Sequence, residues 1–139
     1  MKPTLQPGLT HKRSFRVDRE RTIDFMGDKA RVYATPMMVR DIEVTCREFL
    51  LQHLDAGEDS VGTRVEVDHL APTLLGMDVE VSLTVAEVKG RAVGFAVEVH
   101  DGLDKVGQGR HARFVTDVKK TEERLAAKAE KARAQGKLA

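Results

Sequence analysis

The chain has no tryptophan, one tyrosine and one cysteine among 139 residues. With only five phenylalanines besides Tyr33, a base-stacking surface for single-stranded nucleic acid is not expected. A single cysteine, Cys46, excludes a disulfide framework and suits a reducing compartment. The net charge is only +1, so no global field draws the chain to nucleic acid or an anionic membrane. No apolar run approaches the roughly 20 residues needed to span a bilayer, and Met1–Gly8 lacks the apolar centre of a signal peptide. A cytoplasmic protein with no membrane and no nucleic-acid partner is expected. Metal-ligand spacing, a phosphate-binding glycine loop and a Gly-x-Ser-x-Gly elbow are all missing, so no metal is expected.

What is present is strong periodicity. Met37–Leu54 repeats apolar residues at helical spacing, with Thr35 suited to the N-cap, Pro36 to the first helical position and Gly57 to the stop. On a helical wheel Val39, Glu43, Cys46, Leu50 and Leu54 share one stripe, with Arg40, Asp41, Arg47, Glu48 and Gln52 off it. Four alternating segments follow: Val61–His69, Met77–Val88, Ala92–His100 and Lys105–Val118, with a turn at Lys89-Gly90 and another at Asp101–Asp104. Leu9–Val17 offers an earlier strand. Short turns between long strands imply an antiparallel meander, and the helix is its only sizeable cover. The fold class is α+β: one domain over 1–118, then a charged helical or frayed tail over 119–139.

Three polar residues stand out. Glu43 is a carboxylate on an apolar stripe; it is either a stripe-edge residue reaching solvent or pairing with Arg47, or a group set aside for acid–base or nucleophilic work. His69 shares the core-facing parity of Val61, Val65 and Val67 at a strand end, where it is either bonded to a backbone carbonyl or turned into a cleft. Thr35 is either a simple cap or part of a site at the helix N-terminus, where free amides and the positive dipole end favour an oxyanion. Two helical turns, about 12 Å, separate Thr35 from Glu43. They are therefore expected to meet only with a substrate or a second copy of the chain between them. Cys46 reads as a small core residue and His53 as structural. His111 and Arg113 share one face of the last strand with Gly107 and Gly109.

The stretches Ala34-Thr35-Pro36-Met37-Met38-Val39…Glu43…Cys46, Ser60-Val61-Gly62-Thr63…Val67-Asp68-His69…Ala71-Pro72-Thr73…Gly76 and His100-Asp101-Gly102…Asp104…Gly107-Gln108-Gly109…His111-Ala112-Arg113 together resemble the fluoroacetyl-CoA thioesterase family of the hotdog superfamily. The resemblance implies a hotdog fold, a homodimer (a tetramer being the alternative) and hydrolysis of an acyl-CoA thioester. No cofactor is implied, since CoA belongs to the substrate. It assigns catalysis to Thr35, Glu43 and His69, and places the Gly62 backbone N–H near the thioester carbonyl. Arg113, with Lys119 and Lys120, is a candidate for the CoA phosphates. Phe25–Tyr33 departs from the family: it is short and mostly polar where the fluoroacetyl-specific member carries a longer, aromatic-rich lid. The rival readings on the same fold are a non-catalytic acyl-CoA binding module and an enoyl-CoA hydratase or dehydratase.

Overall fold

A computed structural model describes all 139 residues. Strand β1 (Thr10–Arg16) is followed by two short 3-10 turns, Arg19–Arg21 and Asp28–Ala30, and by helix α1 (Thr35–Leu51). Strands β2 (Glu58–His69), β3 (Asp78–Lys89), β4 (Ala92–His100) and β5 (Lys105–Asp117) come next, and helix α2 (Val118–Ala134) ends the chain. The strands form one antiparallel sheet in the order β1-β3-β4-β5-β2. Helix α1 lies across one face. The core lies between them: Met38, Ile42, Cys46, Phe49 and Leu50 meet Val81, Leu83, Val85, Phe95, Val97 and Val99.

The helix differs from its sequence reading in three ways. It begins at Thr35, with Ala34 as the cap residue and no side-chain cap bond. It ends at Leu51; Gly57, at φ +81°, instead turns the chain into β2. Its buried face is centred on Met38, Ile42, Thr45, Cys46 and Phe49. That rotation leaves Glu43 at the edge of the stripe, with its side chain 44% exposed, and buries Asp41 completely. Asp41 is tolerated there because Arg21 donates to both its oxygens (2.9 and 3.1 Å) and the Tyr33 hydroxyl donates to Oδ2 at 2.6 Å. Helical periodicity cannot reveal partners that lie 20 and 8 residues away.

Strand β2 also departs from strict alternation. The register against β5 shifts between Gly62 and Arg64, so Thr63 is an extra residue in a β-bulge. Beyond it Val65, Val67 and His69 oppose His111, Gly109 and Gly107, as their common parity requires. Before it the parity is inverted. Ser60 and Gly62 oppose Val115 and Arg113 on the helix side, while Val61 opposes Phe114 on the outer side and is exposed. The expectation that Val61 shares the core face with Val65 and Val67 fails for this reason. The β3–β4 hairpin turns at Gly90-Arg91, because Lys89 pairs with Ala92. Helix α2 is fully formed, and none of its residues is buried. No helix is long and apolar enough to cross a membrane.

Candidate functional site

The three candidate residues fall into two groups. The first lies at the start of α1. Thr35 Oγ1 is 2.7 Å from His69 Nδ1, a contact spanning 34 residues. Strand pairing holds His69 opposite Gly107, and the Leu70 amide donates to the Val106 carbonyl just beyond it. The edge of the Tyr33 ring faces the imidazole, with centroids 6.2 Å apart. His69 Nε2 is buried and has no partner. Burial holds the imidazole below its ordinary pKa, against an opposing contribution from the Ala71 backbone. An unpartnered nitrogen on a neutral-leaning imidazole is equipped to receive or deliver a proton.

This pair opens on a cleft of about 370 Å³ walled by Ile23, Phe25, Val32, Leu70 and Ala71. Phe25 and Leu70 are exposed, so apolar surface meets solvent around the polar pair. A larger hollow of about 770 Å³ lies on the opposite face of the sheet. Its charged walls, including Glu66, Asp68, Glu98 and Arg110, hold none of Thr35, Glu43 and His69.

The second group surrounds Glu43. Its Oε2 is 4.0 Å from Arg113 Nη1, and a Cβ on Gly62 would come within 3.6 Å of the same oxygen. Arg113 is only 4% exposed. Its Nε donates to Ser60 Oγ at 2.7 Å, its Nη2 to the Ser60 carbonyl at 2.8 Å and its Nη1 to His111 Nε2 at 3.1 Å. Burial pulls the guanidinium below its usual value, with Glu43 foremost among the groups that oppose the shift. Arg113, a candidate for the CoA phosphates, sits beneath α1 beside Glu43, with three of its five N–H donors taken by Ser60 and His111. Arg47 does not pair with Glu43; it forms a bidentate pair with Asp59 at 3.0 and 2.7 Å. Burial pushes the Cys46 thiol up to about 12, which fits a core residue and not a nucleophile. No cluster of three or more His, Cys, Asp or Glu side chains could hold a metal ion.

Sequence reasoning missed Ser60 and the role of His111. Both point to the helix side, and the usable signal was the inward row His111, Arg113 and Val115 on β5, which sets two polar side chains on a core face.

Residues 17–119 match the family model described as fluoroacetyl-CoA-specific thioesterase. The chain belongs to that family. A fluoroacetyl-CoA thioesterase from Streptantibioticus cattleyicolor is 38% identical over 89 residues, which is 64% of this chain and 64% of that enzyme. A crystal structure of a point mutant of a fluoroacetyl-CoA-specific thioesterase superposes with a TM-score of 0.84 at 30% identity, covering 91% of this chain and 99% of that one. A hot-dog-like protein from Thermanaerovibrio acidaminovorans superposes with a TM-score of 0.81 at 26% identity, covering 91% and 93%. The sheet-wrapped helix is thus the hotdog fold.

Proposed function

We propose that the protein hydrolyses acyl-CoA thioesters at a site that two copies of the chain complete together. The observation that carries this reading is the Thr35–His69 bond at the mouth of an apolar cleft, with His69 Nε2 left unpartnered. A thioester needs an apolar place for its acyl chain, donors for the developing oxyanion and a proton for the departing thiolate. The cleft offers the first; for the second the first turn of α1 keeps the Thr35 amide, since Pro36 has no N–H and the Met37 and Met38 amides donate to the Ala34 carbonyl. His69 takes up a proton for this step, delivers it to sulfur and returns to the neutral imidazole. Glu43 supplies the remaining function, either by taking a proton from the attacking water or by attacking the carbonyl itself to give an anhydride that water then opens.

Within one chain Glu43 sits with Gly62 and Arg113, about two turns from Thr35. A homodimer that brings Glu43 of one protomer to the Thr35–His69 pair of its partner satisfies all three roles. Edge strand β2, with exposed Val61 and Val65, is a surface suited to such pairing, in a dimer or a tetramer. The reaction calls for no cofactor beyond the CoA carried by the substrate. The same reading places the protein in the cytoplasm, where its single free and buried cysteine is at no disadvantage.

The relatives named above are described as acting on fluoroacetyl-CoA. Here the cleft is open, and its volume falls within the range of small-molecule pockets. It has room for more than two carbons. Thiol release measured across a series of straight-chain acyl-CoAs tests this. Each added methylene is expected to raise kcat/KM about fourfold until the cleft is filled, the value of a buried CH₂. Glu43→Ala and His69→Ala are expected to lower kcat by about 10²-fold or more. Acyl-CoA binding without thiol release would leave a binding module in its place.

A further inference from the structure

We propose that His111 is a positioning residue for this hydrolysis: held as its Nδ1–H tautomer, it fixes the Arg113 guanidinium against Glu43. The inference rests on the hydrolase reading above.

His111 lies on the inner face of β5 and is 2% exposed. Its Nδ1 is 2.8 Å from the Arg64 carbonyl oxygen, at the bulge in β2. A carbonyl only accepts, so Nδ1 carries the proton. Its Nε2 is 3.1 Å from Arg113 Nη1. A guanidinium only donates, so Nε2 must accept. One neutral tautomer satisfies both contacts, and no other protonation state does. Phe95 lies stacked against the ring at 6.5 Å and 22°. Gly62 supplies the space: a Cβ there would come 3.2 Å from His111 Cε1.

The consequence reaches Glu43 through Arg113. Ser60 takes Nε and Nη2, and His111 takes one hydrogen of Nη1. With three nitrogens held, the guanidinium plane cannot turn. The remaining Nη1 hydrogen is left for the side where Glu43 Oε2 lies at 4.0 Å. His111 thereby fixes the position of the cation beside the proposed base.

Protonation would undo this. An imidazolium at Nε2 has no lone pair for Arg113 and sets a second cation 3.1 Å from the first. The charged groups around the ring are Arg113 on β5 and Glu43 on α1; β2 presents the Arg64 carbonyl and β4 the neutral Phe95. Arg113 in turn feels Cys46, Asp59 and Arg47. Burial, with Arg113 adding to it, outweighs the Arg64 carbonyl and Glu43 and holds His111 below its ordinary value. The neutral, locked state is therefore the resting one at neutral pH, and acid releases Arg113.

The test has two arms. The first is nitrogen-15 NMR of the histidine rings of the parent protein at neutral pH, which is expected to show His111 as Nδ1–H. An Nε2–H or doubly protonated ring overturns the proposal, whether or not any variant folds. The second is the pH profile of kcat/KM for thiol release. His111→Gln keeps an acceptor that does not titrate, so at the most acidic pH at which both proteins stay folded its activity relative to that at about pH 8 is expected to be at least threefold above the parent's. His111→Phe removes the acceptor and is expected to lower kcat about tenfold at every pH. A His111→Gln profile that superimposes on the parent's also overturns the proposal. No thiol release by the parent with any acyl-CoA rejects the hydrolase reading, and the NMR arm still decides the His111–Arg113 contact by itself.

Discussion

The Thr35 hydroxyl bonds His69 Nδ1 at 2.7 Å and caps no amide of its own helix. Thr35 is the first residue inside the helix, one past the cap position held by Ala34 from which a threonine oxygen would take the second or third amide. Here that oxygen instead joins α1 to the end of β2. Thr35→Ala should therefore leave helix stability little changed and lower kcat about tenfold or more, while Thr35→Ser should retain most of the rate. Steady-state kinetics beside thermal melts check it. Equal kinetics for the Ala and Ser variants would show that the hydroxyl has no part in turnover.

A composite site makes a prediction that one-chain chemistry does not. Glu43→Ala and His69→Ala, each inactive alone, should recover about a quarter of parental activity when unfolded and refolded together. Random pairing makes half the dimers mixed, and each mixed dimer holds one intact site of two. If Glu43 served the His69 of its own chain, every mixed dimer would carry two damaged sites and the mixture would stay inactive.

Asp41 and Glu43, two of the three carboxylates of α1, should behave oppositely in unfolding experiments. Arg21→Met strips the bidentate partner from fully buried Asp41, leaving it only the Tyr33 hydroxyl. Breaking a buried ion pair in this way costs about 3 kcal/mol. Glu43→Gln, at a side chain 44% exposed, should stay within about 0.5 kcal/mol. Urea midpoints with a common slope separate the two. An Arg21→Met protein as stable as the parent would mean that Asp41 is satisfied without the guanidinium.

Stability should fall on mild acidification. Burial holds both His69 and His111 below the ordinary imidazole value of about 6.5. An unfolded chain takes up protons as pH drops through about 6.5, and the folded chain resists until lower pH. In that window the unfolded state binds more protons, so unfolding free energy rises with pH. The contribution is complete above about pH 7 and is lost as pH falls toward the folded values, with a slope of at most about 1.4 kcal/mol per pH unit for each histidine. Salt-bridged carboxylates such as Asp59, held low chiefly by Arg47, act in a more acidic window. Chemical denaturation between about pH 5 and pH 8 checks this; a midpoint flat across that range, or higher in acid, contradicts it.

Much of the frame was legible in the sequence, because period and turn chemistry are local. The alternation of β3 and β4 placed Val81, Leu83, Val93, Phe95, Val97 and Val99 inward, and all are buried. Parity alone also put His69 on the helix side. What could not be read is non-local. Nothing near Asp41 in the chain announces Arg21 and Tyr33 as its partners, so the helix was rotated by one position and the wrong carboxylate looked buried. Nothing at Thr63 marks a bulge, so strict alternation puts Val61 on the core face where the structure has Ser60 and Gly62. The setting of Arg113 is hidden because two of its three acceptors belong to Ser60, which only the β2–β5 pairing brings to it; the third, His111, is its neighbour on the same face of β5. The Thr35–His69 contact lay in between: both residues were candidates, but the bond between them follows from the sheet.

The extra residue at Thr63 divides β2 into two lengths that read the alternation in opposite senses. The first faces Glu43 and Arg113 through Ser60 and Gly62; the second runs to His69. Replacing any side chain there alters one contact. Losing or gaining a single residue between Gly62 and Val65 would turn one length over while the other kept its facing, and the two halves of the site would no longer belong to the same surface. For this edge of the molecule, the count of residues is a stricter constraint than their identity.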